Sequence, residues 1–551
     1  MNDLVIRGGT VIDGTGAPRR RADVAINDGV VVEIGESLDG KQTLDASGHV
    51  VTPGFVDVHT HYDAQVFWDP ALTPSSWHGV TSVVAGNCGF SIAPCRPQHH
   101  GLIGRTLQHV EDMSLPTLEA GIPWDFETFP EYLDSVERRG TVLNFTAYVG
   151  HTAVRLFVMG DEGYERDATD DELARMADVV RESLAAGAAG FATSSAPTHS
   201  GDGGRPVPSR LADMHELELL TTPMRELGRG VGAFTLGGGE PKRVYDLQRR
   251  IGRPFTWTAL LTIRGSSFAA DMRELTLEQR AQGVDVWPQV TCRPLTFQMT
   301  LEDPFTFNTV PSFGALMSGS RTDRIAAYGD PEWRRKAQDE LETGAVFRAK
   351  WDTVWVAQSR KFEDLEGRTM ADLAADRGVG PLDVMLAIAC EENLETRFGT
   401  VLANNDPEMI AVLLQTDGML LGLSDAGAHV SQLCDACMPT DLLGNWVREK
   451  EVLGLEEAVR KLTSEPARIY GFDDRGVLAP GKAGDVTVFD PDTVAPGPLR
   501  RIRDFPADGE RLVADRPGGI RHMIVNGTPI RVDGEVAVEG VGARPGRILR
   551  G

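Results

Sequence analysis

Cysteine is scarce: Cys88, Cys95, Cys292, Cys390, Cys434 and Cys437 are the six in 551 residues. So thin a supply over so long a chain excludes a disulfide scaffold. No run of about 18 apolar residues suggests a membrane-spanning helix. The opening stretch MNDLVIRGGTVIDGTG lacks a basic segment followed by an apolar core, so no secretory signal is expected. Positive charge is also short. Lys and Arg number 55 against 80 Asp and Glu, a formal net charge of −25. Such a surface repels nucleic acid and anionic membrane, which removes both as partners. Two motifs are missing as well. The loop SGDGGRP has no GK[ST] ending and no GxGxxG opening a helix, so nucleotide binding is not expected; without a GxSxG elbow, serine-hydrolase chemistry has no support. Cys434 and Cys437 form a CxxC without a second pair, which reads as two buried thiols. What remains is a reduced, cytoplasmic globular protein, 41% hydrophobic and 25% charged, acting on a small molecule.

The length exceeds one ordinary core but suits a large barrel with a small satellite. Residues 1–52 alternate apolar and polar positions around Gly, Asn and Asp, as in LVIRGGTVID and ADVAINDGVVVEIG. Residues 476–551 do the same, as in GDVTVFDPDTV and IRHMIVNGTPIRVDGEV. The two ends are expected to assemble one small β-sandwich. Residues 53–475 instead alternate strand-like and helix-like runs, the pattern of parallel βα units. Eight strands are expected, in VTPGFVDVH, GVTSVVAGN, VLNFTAYVGH, GFATSS, GVGAFTLG, PFTWTALLT, GVDVWPQVT and MLLGLSDAG. The predicted fold class is α/β, a (β/α)8 TIM-like barrel. Residues 292–415, between the last two strands, are too long for a βα connection and predict an inserted subdomain or lid, with helices at PEWRRKAQDELE and MADLAADRG.

The sharpest local feature is Asp57-Val58-His59-Thr60-His61 at the end of the first strand. Alternate residues of a strand share a face, so His59 and His61 can offer two imidazoles to one cation, with Asp57 behind them. Imidazole suits zinc and similar divalent ions. Two buried structural histidines are the competing reading. Cys88 follows the second strand; as a thiolate it is a strong, soft ligand, otherwise a small buried hydrophobe. Asp425 closes the eighth strand, where a carboxylate can bind a cation and pass a proton, or merely cap a turn. His151 ends the third strand, placed for substrate contact, for polarising a carbonyl, or for structure alone. His199 follows the fourth, and His429 lies just beyond Asp425.

GFVDVHTHYDAQ resembles the first-strand motif of the amidohydrolase superfamily, and GVTSVVAGNCGFSIAP resembles the N-acyl-D-amino-acid deacylase (D-aminoacylase) branch. The likeness extends through VGHTAVRLFVMG, LGLSDAGAH and LTSEPARIYGFDDRGVLAPGKAGDVTVFD to VNGTPIRVDG, nearly the whole chain. It implies hydrolysis of an N-acyl-D-amino acid or a related, even cyclic, amide. It also implies one or two divalent ions, zinc foremost, and makes Cys88 a metal ligand. The expected partners are a small-molecule substrate and further copies of the chain. Arg264 and Arg293 are the nearest cations for a substrate carboxylate.

The chain also departs from that branch, which carries metal-binding histidines at the ends of strands five and six. Here GVGAFTLGGGE and PFTWTALLTIRG contain none, and Thr235, Leu236 and Thr258 stand in those places. Three outcomes stay open: one cation held by His59, His61, Asp425 and Cys88; recruitment of His199; or loss of the metal. A metal-dependent lyase or decarboxylase on the same scaffold, or a barrel that only binds, are the alternative functions.

Overall fold

A computed structural model describes the chain except residues 238–240, 308–309, 344–348 and 551. The GGGE end of the fifth-strand motif thus lies largely outside the described residues. Eight parallel strands form the barrel. They are β1 (Phe55–Asp57), β2 (Val80–Ala85), β3 (Asn144–Ala147, resumed at Val149–Gly150), β4 (Gly190–Ser194), β5 (Val231–Thr235), β6 (Phe255–Thr258), β7 (Val286–Val290) and β8 (Leu420–Leu421). Each expected strand motif supplies one of them. Neighbours pair in parallel around the ring. The ring closes where Thr60 bridges Ala426 and the His61 amide donates to the Ala426 carbonyl at 2.7 Å.

The strands are short, apolar and buried on both faces, as a helix-covered parallel sheet requires. Val56, Val84, Ala192, Ala233, Trp287 and Leu420 come from six strands and meet in one cluster, as side chains do across the lumen of a closed barrel. A larger core packs between strands and helices. The helices carry ordinary signals. Asp170–Ala186 opens on a capping box between Thr169 and Glu172 and stops at left-handed Gly187. The last barrel helices, Leu455–Leu462 and Ser464–Tyr470, meet at Thr463. One further helix matters below: α1 (His100–Glu111), which follows β2 and ends at Asp112 in the left-handed region.

Both chain ends build one nine-stranded mixed sheet. Its seam is the antiparallel pairing of Val50–Pro53 with Val486–Phe489. Leu4, Ile6, Val24, Ile26, Val486, Val488 and Ile524 share its small core. Val50–Pro53 runs almost directly into β1, so the seam sits at the foot of the strand that leads to the two histidines. The hairpin Leu499–Phe505 and Gly509–Ala514 pairs apart from that sheet.

Residues Pro294–Asn405 form a second compact unit. It has its own core around Phe313, Tyr328, Leu373, Met385 and Phe398. The helices Pro331–Thr343 and Met370–Arg377 match the expected ones. The sequence pattern missed its three-stranded antiparallel sheet of Leu295–Thr300, Arg397–Ala403 and Val354–Gln358. The helix Pro407–Gln415, inside the expected insertion, belongs to the barrel unit.

Candidate metal centre

The segment after β1 stays extended long enough to place two imidazoles at the carboxyl end of the barrel. Asn87 holds it there: its amide nitrogen lies 3.0–3.3 Å from the carbonyls of Val84, Val58 and Thr60. Thr60 Oγ1 adds a bond to the Val84 carbonyl. Cys88 follows in a tight turn, with φ of 56° between the left-handed glycines Gly86 and Gly89. Leu423 and Asp425 are left-handed too, at 60° and 47°. Such backbone costs roughly 1–3 kcal/mol per residue and gathers at functional sites, where the surroundings hold it.

His59, His61 and Cys88 converge. Their ligand atoms all lie within 4.8 Å of one another. Cys88 Sγ is 3.6 Å from His59 Nε2. Asp425 Oδ1 is 3.0 Å from His59 Nε2 and 3.5 Å from His61 Nε2. The opposite edges of the two rings are also engaged. His59 Nδ1 meets Gln289 Oε1 at 2.7 Å. His61 Nδ1 stands 3.0 Å from Glu111 Oε1, at ion-pair distance but outside hydrogen-bond alignment. Both histidines therefore turn Nε2 inward. Asp57 sits behind them and accepts the His59 amide at 3.2 Å.

The charge balance of this pocket is one-sided. Asp57, Asp63 and Glu111 are buried, and the Asp425 side chain is 23% exposed. No Lys or Arg lies at ion-pair distance from any of them among the described residues. Burial pushes Asp57 up to about 6 and Asp63 up to about 7. Burial works against ionisation of Asp425 and Glu111 as well, but contact with the histidines wins and holds both below their ordinary values. Conversely, burial disfavours a charged His59 ring, yet the Cys88 sulfur and the Asp425 carboxylate outweigh it and raise its pKa to about 10. His61 is raised likewise against burial, chiefly by Glu111. The cluster thus calls for positive charge. Asp57 Oδ2, Asp63 Oδ1, Glu111 Oε1 and Gln289 Nε2 remain buried without a hydrogen-bond partner. Two imidazoles, a thiol and a carboxylate facing one point suit a divalent cation in place of those protons.

The remaining candidates are not among these converging ligand atoms, although His199 feels the charges of His61, Asp425 and Glu111. His151 is fully buried, with Nδ1 on Thr193 Oγ1 and Nε2 on Glu216 Oε1, both at 2.8 Å. Glu216 also receives Arg155. With both ring nitrogens spent, His151 has none to polarise a carbonyl, and the catalytic role expected of it gives way to a structural one. His199 lies outside the 4.8 Å set; its Nδ1 meets Ser194 Oγ at 2.7 Å and its ring packs edge-on against Phe90. Arg293 is bound to Asp435 and Asp441, and Arg264 is two-thirds exposed. At the ends of β5 and β6, Thr258 Oγ1 donates to Thr235 Oγ1 at 3.1 Å, a pair of neutral hydroxyls where imidazoles were expected.

The amidohydrolase family profile matches residues 42–531. The chain belongs to the amidohydrolase family. This amidohydrolase is 29% identical to the N-acyl-D-glutamate deacylase of Alcaligenes xylosoxydans xylosoxydans, over 100% of this chain and 96% of the relative. It is 28% identical to the D-aminoacylase of the same organism, over 96% and 94%. Among solved structures it is similar to the Bordetella bronchiseptica N-acyl-D-glutamate deacylase, with TM-score 0.68, 27% identity and full coverage of both chains. That enzyme was crystallised with zinc and a phosphonate mimic of the tetrahedral intermediate. As an amidohydrolase, the protein is a hydrolase acting on carbon–nitrogen amide bonds.

Gln289 and Glu111 escaped the sequence reading because neither stands in a pattern of metal-ligating residues, although Gln289 lies in the seventh-strand run. Glu111 carried one faint signal: an acid in the last turn of a helix, opposed by the helix dipole.

The loop that carries Asp425 is tied down on its far side. The Val430 amide donates to the Glu111 carbonyl at 3.1 Å, and the Leu512 amide donates to the Val430 carbonyl at 2.6 Å. The Ser431 amide reaches Asp112 Oδ2, and Arg501 reaches the Ser431 carbonyl. The C-terminal hairpin, the β8 loop and the end of α1 thus share one line of bonds. Gly427, at φ 89°, passes so close to His61 that a Cβ there would sit 2.9 Å from its carbonyl carbon and oxygen.

Proposed function

We propose that this amidohydrolase removes the acyl group from N-acyl-D-amino acids with a single divalent cation, zinc foremost, held by His59, His61, Cys88 and Asp425. The observation that carries the reading is the convergence of those four side chains on one point, with no Lys or Arg at ion-pair distance from Asp425 among the described residues. Curated relatives aligned along nearly the whole chain support the substrate class. A count of one rests on the hydroxyl pair of Thr235 and Thr258, which offers no imidazole to a second ion.

When bound, the cation supplies a Lewis acid and a water whose pKa is lowered towards 7. The rest of the chemistry belongs to the chain. Asp425 Oδ1 faces the same point as both Nε2 atoms, so its carboxylate is placed to take a proton from the attacking water and return it to the leaving nitrogen. Burial keeps bulk water from competing and strengthens each of these contacts. Cys88 and Asp425 are both presented from left-handed backbone, which the surrounding structure must hold. A cytoplasmic location is proposed with this, because all six cysteines are free thiols.

Elemental analysis and product analysis together test the reading. Wild-type protein produced with zinc is expected to carry about one ion per chain, His59→Ala and Cys88→Ala less. The wild type is expected to release free D-amino acid from N-acetyl-D-amino acids. Metal-free wild type that still turns substrate over would overturn the mechanism. Release of carbon dioxide instead of an amine would replace it with a lyase.

A further inference from the structure

Each metal-site histidine is backed by a different kind of group. His59 leans on a neutral amide and His61 on a carboxylate. We infer that Gln289 and Glu111 are positioning residues, which fix both imidazoles with Nε2 inward, and that Glu111, through its charge, sets the affinity of the site for its cation.

The argument starts from imidazole itself. A neutral ring has one N–H and one lone pair, and only the lone pair binds a metal. An acceptor against Nδ1 draws the proton there and leaves Nε2 free. Gln289 Oε1 supplies that acceptor to His59 at 2.7 Å. Glu111 Oε1 faces His61 Nδ1 at 3.0 Å, an ion-pair contact whose charge favours a proton on that nitrogen although the two are not aligned as a hydrogen bond. Neither partner reaches the site by chance. Gln289 lies on β7, completely buried. Glu111 is 2% exposed in the last turn of α1, where burial and the helix dipole both oppose a carboxylate. Among the described residues no Lys or Arg pairs with it. The group it faces at ion-pair distance is the His61 ring. A carboxylate behind a ligating histidine also makes the ring a better donor, which an amide does not match. The two partners are therefore unequal by charge.

This inference rests on the single-cation reading, and its test separates the two. Zinc alone is the probe. Affinity is measured on the full-length protein by competition with a chromophoric chelator, and cobalt spectra report the ligand geometry. Loss of an orienting partner typically costs a factor of about 10–100 in metal affinity. Glu111→Gln, which keeps an oxygen and drops the charge, is expected to weaken zinc about tenfold. Glu111→Leu and Gln289→Leu are expected to weaken it further and to shift the cobalt bands. Gln289→Glu reads the claim in the opposite direction and should tighten zinc several-fold. It also guards against a Glu111 variant that fails to fold. Folded Glu111 variants within threefold of wild type would overturn the inference while leaving the metal site standing, as would Gln289→Glu without a gain. Wild type that takes up no zinc would remove the site reading and this inference together.

Discussion

Replacing Asp425 by asparagine asks most directly whether this carboxylate does chemistry or only holds a cation. Asparagine keeps the shape and one oxygen, and it removes the charge and the ability to carry a proton. Oδ1 lies 3.0 Å from His59 Nε2 and 3.5 Å from His61 Nε2, so the variant changes the electrostatics of the pocket more than its packing. Two losses are expected. Zinc binding weakens, because the fourth donor becomes a neutral amide oxygen in place of a carboxylate. Turnover at saturating zinc falls about 10²–10⁴-fold, the usual contribution of a positioned acid–base group. At about 1.36 kcal/mol per decade that is about 2.7–5.4 kcal/mol of transition-state stabilisation. The assay is initial-rate release of free amino acid from an N-acetyl-D-amino acid, with zinc content checked on the same sample and zinc then titrated to excess. A variant that regains wild-type kcat within about threefold once zinc is saturating would refute the proton-carrying role and leave Asp425 as a ligand only.

Other outcomes follow from the same geometry. Glu216→Gln leaves Arg155 fully buried beside a neutral amide, so unfolding by urea should show a loss of about 3–5 kcal/mol. Zinc affinity should hold, since His151 and its partners lie apart from the ligands, and a large drop would put them back in the site. Gly427→Ala forces a side chain into left-handed backbone against the His61 carbonyl, and the variant should lose zinc binding together with activity. Two buried groups should each lose a stabilising contribution in acid. Burial depresses His78 to about 3, so its contribution is intact above the unfolded value near 6.5 and drains as pH falls towards 3. Burial works to raise Glu216, but His151 and Arg155 prevail and depress it to about 2, so its share is lost below about 4.5. Asp57 and Asp63, raised by burial, act in the opposite sense over the same range, so the test compares variants. From pH 7 to pH 4 the urea midpoint of His78→Gln should fall less than that of wild type, and from pH 4.5 to pH 3 that of Glu216→Gln should fall less, while equal changes would contradict the assignments.

Much of this was legible before the structure. The eight strands showed as short apolar runs because both faces of a barrel strand are covered, and period-two alternation marked the terminal sheet. The inserted unit showed its helices but hid its three strands, whose pairing joins residues near 295, 355 and 400. Within the candidate site, spacing drew attention to His59 and His61, while Cys88 and Asp425 were singled out by their places after strands together with the family resemblance. Gln289 and Glu111 were not, because their significance comes only from what folding sets beside them. His151 misled for the converse reason. Its position at a strand end suited catalysis, but Glu216, sixty-five residues on, claims its ring.

The bonds from Leu512 to Val430 and from Val430 to Glu111 tie the C-terminal hairpin mechanically to the candidate metal centre. Shortened versions that stop after the last barrel helix would free the β8 loop and the end of α1 at once. Gene designs that graft this barrel onto other partners must carry residues 499–514 along, however remote they look on a linear map.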